Sequence, residues 1–274
     1  MINLSSVMGA YGAGNTLGSV NKDLLDILEQ LSTGYRINSA ADDPAGLAVW
    51  TNLNTQQVST RQAVRNANTG ISVAQTAESA YDEVAELLTS MRSLAVQSSS
   101  GTLTTADRAD VDAEYQELLS EIDRIADATE FNGISLTDGS TTSMSVQVGA
   151  GNSAADSIAI SLGDANAAAL SIDSTSVTST ANASSAITAI DAALDSVNEY
   201  RSDVGASQRR LESAVELGND YADNLASAQS SIRDVDMAYA AAEATRLEIV
   251  QTASLSVLAQ TQSMSRDMVA MLFA

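Results

Sequence analysis

Few side chains in this sequence can do covalent or acid–base chemistry. The 274 residues include no histidine and no cysteine. Imidazole bases, thiol nucleophiles, disulfides and the usual zinc ligands are therefore missing together. Carboxylates remain, as does a serine–lysine pair, although Lys22 is the sole lysine. Asp234 and Asp236 in "RDVDMAY" suggest a metal pair, but no compact set of further oxygen ligands accompanies them. Adjacent acids on a helix otherwise make a solvated face or pair with a neighbour, here Arg233. The expectation is a protein that is not an enzyme and holds neither metal nor cofactor.

Such groups act only where the surrounding elements position them. Of all residues 45% are hydrophobic and only 4% aromatic, a composition that packs small side chains along long helices better than it fills a thick core. The net charge of −22 argues against nucleic acid, whose phosphates need a cationic face. No apolar run is long enough to span a membrane. The first residues, "MINLSSVMGAYGAGN", have neither the basic start nor the long apolar stretch of a secretory signal. The charge is also unevenly placed. Residues 73–240 carry 27 acidic and 7 basic side chains, whereas the two ends together carry 8 and 6. The middle reads as solvated, the ends as surfaces to be buried against something.

The only proline lies in "GYRINSAADDPAGLAV", residues 34–49. Gly34 suits a helix stop, Asp42 or Asp43 a cap, and Pro44 the first position of a new helix. Beyond it the dominant signal is heptad spacing: Val73, Ala77, Ala80, Val84, Leu87, Met91 and Leu94, then Val111, Tyr115, Leu118, Ile122 and Ile125. A third run, Leu211, Val215, Gly218, Ala222, Leu225, Ile232 and Val235, mixes in smaller residues. Such seams favour coiled-coil packing. Thr104 and Asp107 open the second helix as a capping box. Met144, Val146 and Val148, then Ile158, Ile160 and Leu162, alternate with polar residues around "GAGNSAAD" and predict a hairpin at about 143–162. Residues 163–184 lack a period and read as loop, with helix resuming near Ser185.

From Ala240 onward the pattern changes. Ile249, Ala253, Val257, Met264, Met268 and Met271 form one stripe, widened by Leu247, Val250, Leu255, Leu258 and Leu272. A helix apolar on so much of its surface needs a cover. A membrane-surface helix is the competing reading, but it wants a cationic polar face and only Arg246 and Arg266 are available. Burial among copies of the same chain is the better explanation.

In this order the residues resemble bacterial flagellin. The likeness rests on "LSTGYRINSAADDPAGLAV" (31–49), "RNANTGISVAQTAESA" (65–80), "SEIDRIADATEFNGISL" (120–136) and "NLASAQSSIRDVDMAYAAAEATRLEIVQTASLSVLAQTQ" (224–262). It implies a mainly α fold: a long antiparallel coiled-coil-like bundle with a small β-hairpin and paired N- and C-terminal helices. The implied domains are filament-core helices at 1–36 plus 240–274 and a rod at 37–239, with no large outer domain. The implied function is a structural subunit of the extracellular flagellar filament, serving motility. Its implied partners are copies of itself, hook-associated and cap proteins, and an export chaperone with the type III export apparatus. Export without a cleavable signal peptide follows from the same likeness. Arg36, Asn38, Asp42 and Asp43 become subunit-interface candidates, against the plainer reading of a capping turn. Ile249, Ala253, Val257, Met264, Met268 and Met271 join them. Thr89, Ser90, Leu94 and Glu114 match the positions at which flagellins engage the animal innate receptor, with serine standing where arginine is usual. Other readings are a hook–filament junction protein with flagellin-like ends and, from another class, a secreted helical effector or adhesin. An enzymatic flagellin with a metallopeptidase insert would need HExxH, which a histidine-free chain lacks.

Overall fold

Helices begin and end where local chemistry directs. The computed structural model describes residues 4–273, and the side chains of 8–264 and 266. Helix α1 (Leu4–Thr33) stops at Gly34, which adopts φ +76° and donates its N–H back to Gln30 O at 2.8 Å. That left-handed conformation suits glycine, which has no Cβ to clash. Helix α2 (Pro44–Ser99) starts under an aspartate cap: Asp43 Oδ1 accepts from the N–H groups of Ala45 and Gly46 at 3.1 and 2.9 Å. Helix α3 (Thr105–Ala128) carries the full Thr104–Asp107 capping box. Short strands β1 (Glu130–Phe131) and β2 (Ile134–Ser135) follow, then β3 (Ser143–Gln147) and β4 (Ser157–Ser161), α4 (Thr180–Arg233) and α5 (Met237–Phe273). The fold is mainly α, with two small antiparallel hairpins.

The chain divides into two compact units, residues 56–224 and residues 1–55 with 225–274. The first of these, the middle unit, is a helical bundle closed by the hairpins. Gln57 Nε2 reaches Ala222 O at 3.2 Å, Arg201 pairs with Asp82 at 2.8 Å, and Arg92 pairs with Asp191 at 2.7 Å. As α2 ascends, α4 descends, so the two run antiparallel. Helix α3 folds back along α2, with Arg108 Nε donating to Ser98 O at 2.9 Å. In the larger hairpin Met144 sits opposite Ile160 and Val146 opposite Ile158, as the alternation predicts. Val146 presses on Gly70 of α2, where an added Cβ would lie 2.9 Å from its methyl.

Three features of this unit depart from the sequence reading. The buried stripe of α2 runs Val73, Ala77, Ala80, Val84, Leu88, Met91, Ala95, while Leu87 and Leu94 are only partly buried. An α-helix drifts relative to a strict heptad, and here the seam slips by one residue after Val84. Second, "FNGI" is itself a tight hairpin, with Glu130 opposite Ser135 and Phe131 opposite Ile134. Third, residues 163–179 form no helix or strand, yet Ala165, Ala167, Leu170, Ile172 and Val177 are buried. This strap lies antiparallel to α3, whose carboxylates satisfy its backbone: Asp123 accepts from Ala167 N at 2.8 Å and Asp112 from Val177 N at 2.6 Å. A chain without a period can still be core when a neighbouring helix supplies its hydrogen bonds.

Tyr81 anchors the middle of the bundle. Its hydroxyl donates to Gly163 O and accepts from Gly163 N, both at 2.8 Å. Burial pushes its pKa up to about 12. Gly163 is needed there because an added Cβ would stand 2.3 Å from the Tyr200 ring.

Candidate assembly surface

The other unit, residues 1–55 with 225–274, joins the two ends of the chain. Its linker is tied down by backbone bonds: Arg36 N donates to Arg233 O at 2.6 Å and Val235 N to Gly34 O at 3.0 Å. The guanidinium of Arg36 donates to Ile232 O at 2.5 Å. Arg233 returns the contact, its Nε donating to Ile37 O at 3.1 Å. Its guanidinium lies over the Tyr35 ring at 4.2 Å and the Trp50 ring at 4.1 Å from their centroids. Each such cation–π contact stabilises by roughly 0.5–2 kcal/mol. Asp42 Oδ2 accepts from the N–H groups of Ser39 and Asn38 at 2.8 and 2.9 Å. These bonds to the ionised form hold its carboxyl below the usual range. Asn38 Nδ2 in turn donates to Tyr35 O at 3.2 Å. Of the four candidates, Arg36 bonds the C-terminal end directly, Asn38 and Asp42 fold the linker on itself, and Asp43 caps α2. The sequence pairs Arg233 with its neighbour Asp234, but the structure stacks it on aromatics 183 and 198 residues away in sequence, a partnership no local pattern reveals.

Helices α1 and α5 pair antiparallel: Val235 meets Gly34, and Gln251 Nε2 donates to Asn21 Oδ1 at 2.7 Å. Their seam has heptad spacing on both sides. On α1 the less exposed positions are Ala10, Ala13, Leu17, Val20, Leu24, Ile27, Gln30 and Leu31; on α5 they are Ala240, Glu243, Ala244, Leu247, Val250, Gln251, Ser254, Leu258 and Thr261. The α5 side is notably polar for a seam. Its more apolar stripe points elsewhere. Ile249 is 64% exposed, Val257 50% and Met264 54%, and Ala253 is exposed with them. At about 100° per residue the centre of this stripe lies roughly 110–130° around the helix from the centre of the seam, with Val257 and Met264 on the flank nearest it. The side chains of Met268 and Met271 lie outside the described residues. On α1, Met8, Tyr11, Leu25 and Leu28 are exposed as well. Large apolar side chains left outside a satisfied seam mark a surface made for a partner.

Thr89, Ser90, Leu94 and Glu114 fall in the middle unit, on α2 and α3. The hydroxyls of Thr89 and Ser90 are exposed and donate to Ala85 O and Glu86 O at 2.9 and 3.1 Å. Leu94 is partly buried against the core and Glu114 is exposed. With Arg108 held at Ser98, Leu94 lies about 6 Å and Glu114 about 9 Å from that contact along their antiparallel helices. The fold therefore brings α2 and α3 positions to a common level.

Known proteins match this architecture closely. The bacterial flagellin N-terminal helical region matches residues 4–142 and the C-terminal helical region residues 187–272. A flagellin of Halalkalibacterium halodurans is 43% identical over 233 residues, covering 85% of this chain and 86% of its own length. A flagellar filament 33 kDa core protein of Treponema phagedenis is 36% identical over 281 residues, covering 97% of this chain and 98% of its own. Among solved structures, Bacillus cereus flagellin aligns with a TM-score of 0.51 at 29% identity, over 56% of this chain and 88% of that one.

Proposed function

This chain belongs to the bacterial flagellin family, and from that premise we propose how it carries out its work as a structural subunit of the flagellar filament. Copies of the chain associate through the outward stripe of α5, Ile249, Ala253, Val257 and Met264, together with the exposed apolar side chains of α1. One observation carries this reading: α1 and α5 already satisfy each other along a heptad seam, and a second apolar face is left over. Burying one large side chain of that face gains about 1.5–3 kcal/mol. Repeated over many copies, such contacts hold a polymer together without catalysis or cofactor.

The family reading extends further. Met268 and Met271 continue the stripe by spacing. Arg36, Asn38, Asp42 and Asp43 fix the angle at which α1 leaves the joint, and so present the stripe to a neighbour. The flagellar setting adds hook-associated and cap proteins at the ends of the polymer. It also adds an export chaperone and the type III apparatus, delivering the subunit outside the cell without a cleaved signal. The innate receptor engages this protein weakly, because Ser90 stands where a long, five-donor arginine is usual. A receptor-reporter assay in which Ser90→Arg leaves potency unchanged would contradict that.

Ile249→Asp combined with Val257→Asp tests the stripe. Both positions are exposed, so the monomer keeps its helical circular dichroism, and electron microscopy is expected to show no filaments. Filaments in wild-type yield would overturn the assignment.

A further inference from the structure

The sulfur of this chain is as unevenly placed as its charge. With no cysteine, all of it sits in eight methionines, six of them in the unit that joins the chain ends. Exposure divides the same way. In the middle unit Met91 is fully buried and Met144 is half-buried against the core. In the other unit Met8 is 67% exposed, Met237 51% and Met264 54%. Thioethers are therefore the only sulfur nucleophiles that an oxidant can meet, and the accessible ones cluster in the unit that carries the assembly surface.

Met264 is set apart by its place. It stands seven residues after Val257 on the outward stripe of α5. An unbranched, polarisable side chain suits such a surface because it adapts to a neighbour's shape. The same side chain also carries a reaction. Its sulfur lone pair attacks the outer oxygen of a hydroperoxide; an S–O bond forms, the O–O bond breaks, and the leaving oxygen departs with the proton as water or an alcohol. The sulfur loses two electrons, the peroxide gains two, and an apolar side chain becomes a polar sulfoxide. That product is ill suited to burial. The new oxygen is a strong acceptor that must give up water when the stripe is covered. Nearby hydroxyls offer it little: Thr261 already donates to Val257 O and Leu258 O, and Ser263 to Gln260 O. The amide of Gln260, one turn back, would follow it into an interface only at a desolvation cost of its own.

We propose that Met264 is an oxidation site that switches self-assembly. The thioether joins the stripe to a second copy, and the sulfoxide holds the subunit monomeric until it is reduced. A small hydroperoxide is the oxidant, and packing of the copies shields the site from it. This inference rests on the reading of the α5 stripe as the assembly surface.

Oxidation of the full-length wild-type monomer by hydrogen peroxide, to an average of about one sulfoxide per chain, tests it. The treated protein is allowed to polymerise and is separated into filament pellet and supernatant. Trypsin cuts after Arg246 and Arg266, which isolates Met264 in residues 247–266, apart from Met268 and Met271. By peptide mass spectrometry, Met264 should oxidise at least about tenfold faster than Met91 in the monomer, and its sulfoxide fraction in the pellet should be at most about a tenth of that in the supernatant. The two methionine sulfoxide reductases, one for each epimer, should return the supernatant to polymerisation. In finished filaments Met264 should oxidise at least about tenfold more slowly than in the monomer. Variant M8L/M237L/M268L/M271L leaves Met264 as the exposed thioether among the described residues, each replacement nearly conserving volume. Oxidation should still raise its critical concentration at least about fivefold, and adding M264L should reduce that rise to less than about twofold. The inference fails, and the filament reading stands, if Met264 sulfoxide enters filaments as freely as the thioether, if Met264 reacts no faster than Met91, or if M264L leaves the peroxide response unchanged. Equal oxidation of Met264 in filament and monomer would overturn the stripe assignment beneath it. Untreated wild-type protein that forms no filaments would overturn the self-assembly reading itself.

Discussion

In the middle unit the largest side chains point inward: Tyr81, Tyr115, Leu88, Met91, Ile122, Ile160, Ile190 and Leu211 are all fully buried. In the unit that joins the chain ends, burial among the described residues is confined to a few hydrophobic side chains, Val20, Ile37, Leu225, Ala240, Ala244 and Leu247. That unit holds well under half of the chain, yet it carries twelve of the seventeen large apolar side chains exposed among the described residues. The same helical building material has been finished in two ways. One unit completes its core within a single chain, whereas under the proposed assembly the other completes it only when further copies arrive. The acidic surplus follows the same division: a finished surface tolerates charge, and a surface awaiting burial does not.

The largest effect expected from breaking this contrast lies in the middle unit. Leu88→Ala opens a cavity at a fully buried site and is expected to cost about 2–5 kcal/mol. Trp50 is the only tryptophan and lies in the other unit. Its fluorescence should hold its wild-type transition while circular dichroism shows early melting, and a parallel fall of both signals would erase the contrast. Alkaline pH gives a slightly smaller effect. Because the Tyr81 pKa is raised from 10.0 to about 12, the stability it contributes is complete below pH 10. That contribution is lost as pH rises through about 12. Tyr81→Phe should flatten this alkaline loss in a pH series of melting curves.

Next in size is the joint between the ends. Arg233→Ala removes two cation–π contacts and the bond to Ile37 O, at an expected cost of about 1–3 kcal/mol. The Trp50 emission should shift, with the middle unit unchanged. Smallest are Gly12→Ala and Gly14→Ala in α1, where an added Cβ meets nothing within 4 Å. Each should stabilise the helix by up to about 1 kcal/mol, visible as higher helicity of the monomer.

Local chemistry made much of the fold legible. Gly34 and Asp43–Pro44 marked the break, Thr104 and Asp107 the start of α3, and the alternation from Met144 to Leu162 the hairpin, because caps and strand faces are written in neighbouring residues. The seam of α2 was legible only to within one residue, since the drift from Leu87 to Leu88 accumulates over several turns. The strap at 163–179 was not legible as core. Its burial depends on Asp112 and Asp123 of α3, which lie 65 and 44 residues away from their partners. At the assembly surface, the Ile249–Met264 stripe could be read as apolar, but its separation from the α1 seam could not. That distinction arises because Gln251, Ser254 and Thr261, polar residues that the pattern alone assigns outward, face α1 instead. Arg233 escaped for a similar reason, its partners Tyr35 and Trp50 being fixed by the pairing of the two ends.

The central claim, that one unit is finished within the chain and the other only by assembly, can be tested by hydrogen exchange on the same protein as monomer and as filament. Backbone amides of 248–264 should exchange quickly in the monomer and slow by at least a hundredfold in the filament, while those around Tyr81, Leu88 and Ile190 stay equally protected in both. Equal protection of 248–264 in monomer and filament would contradict the account.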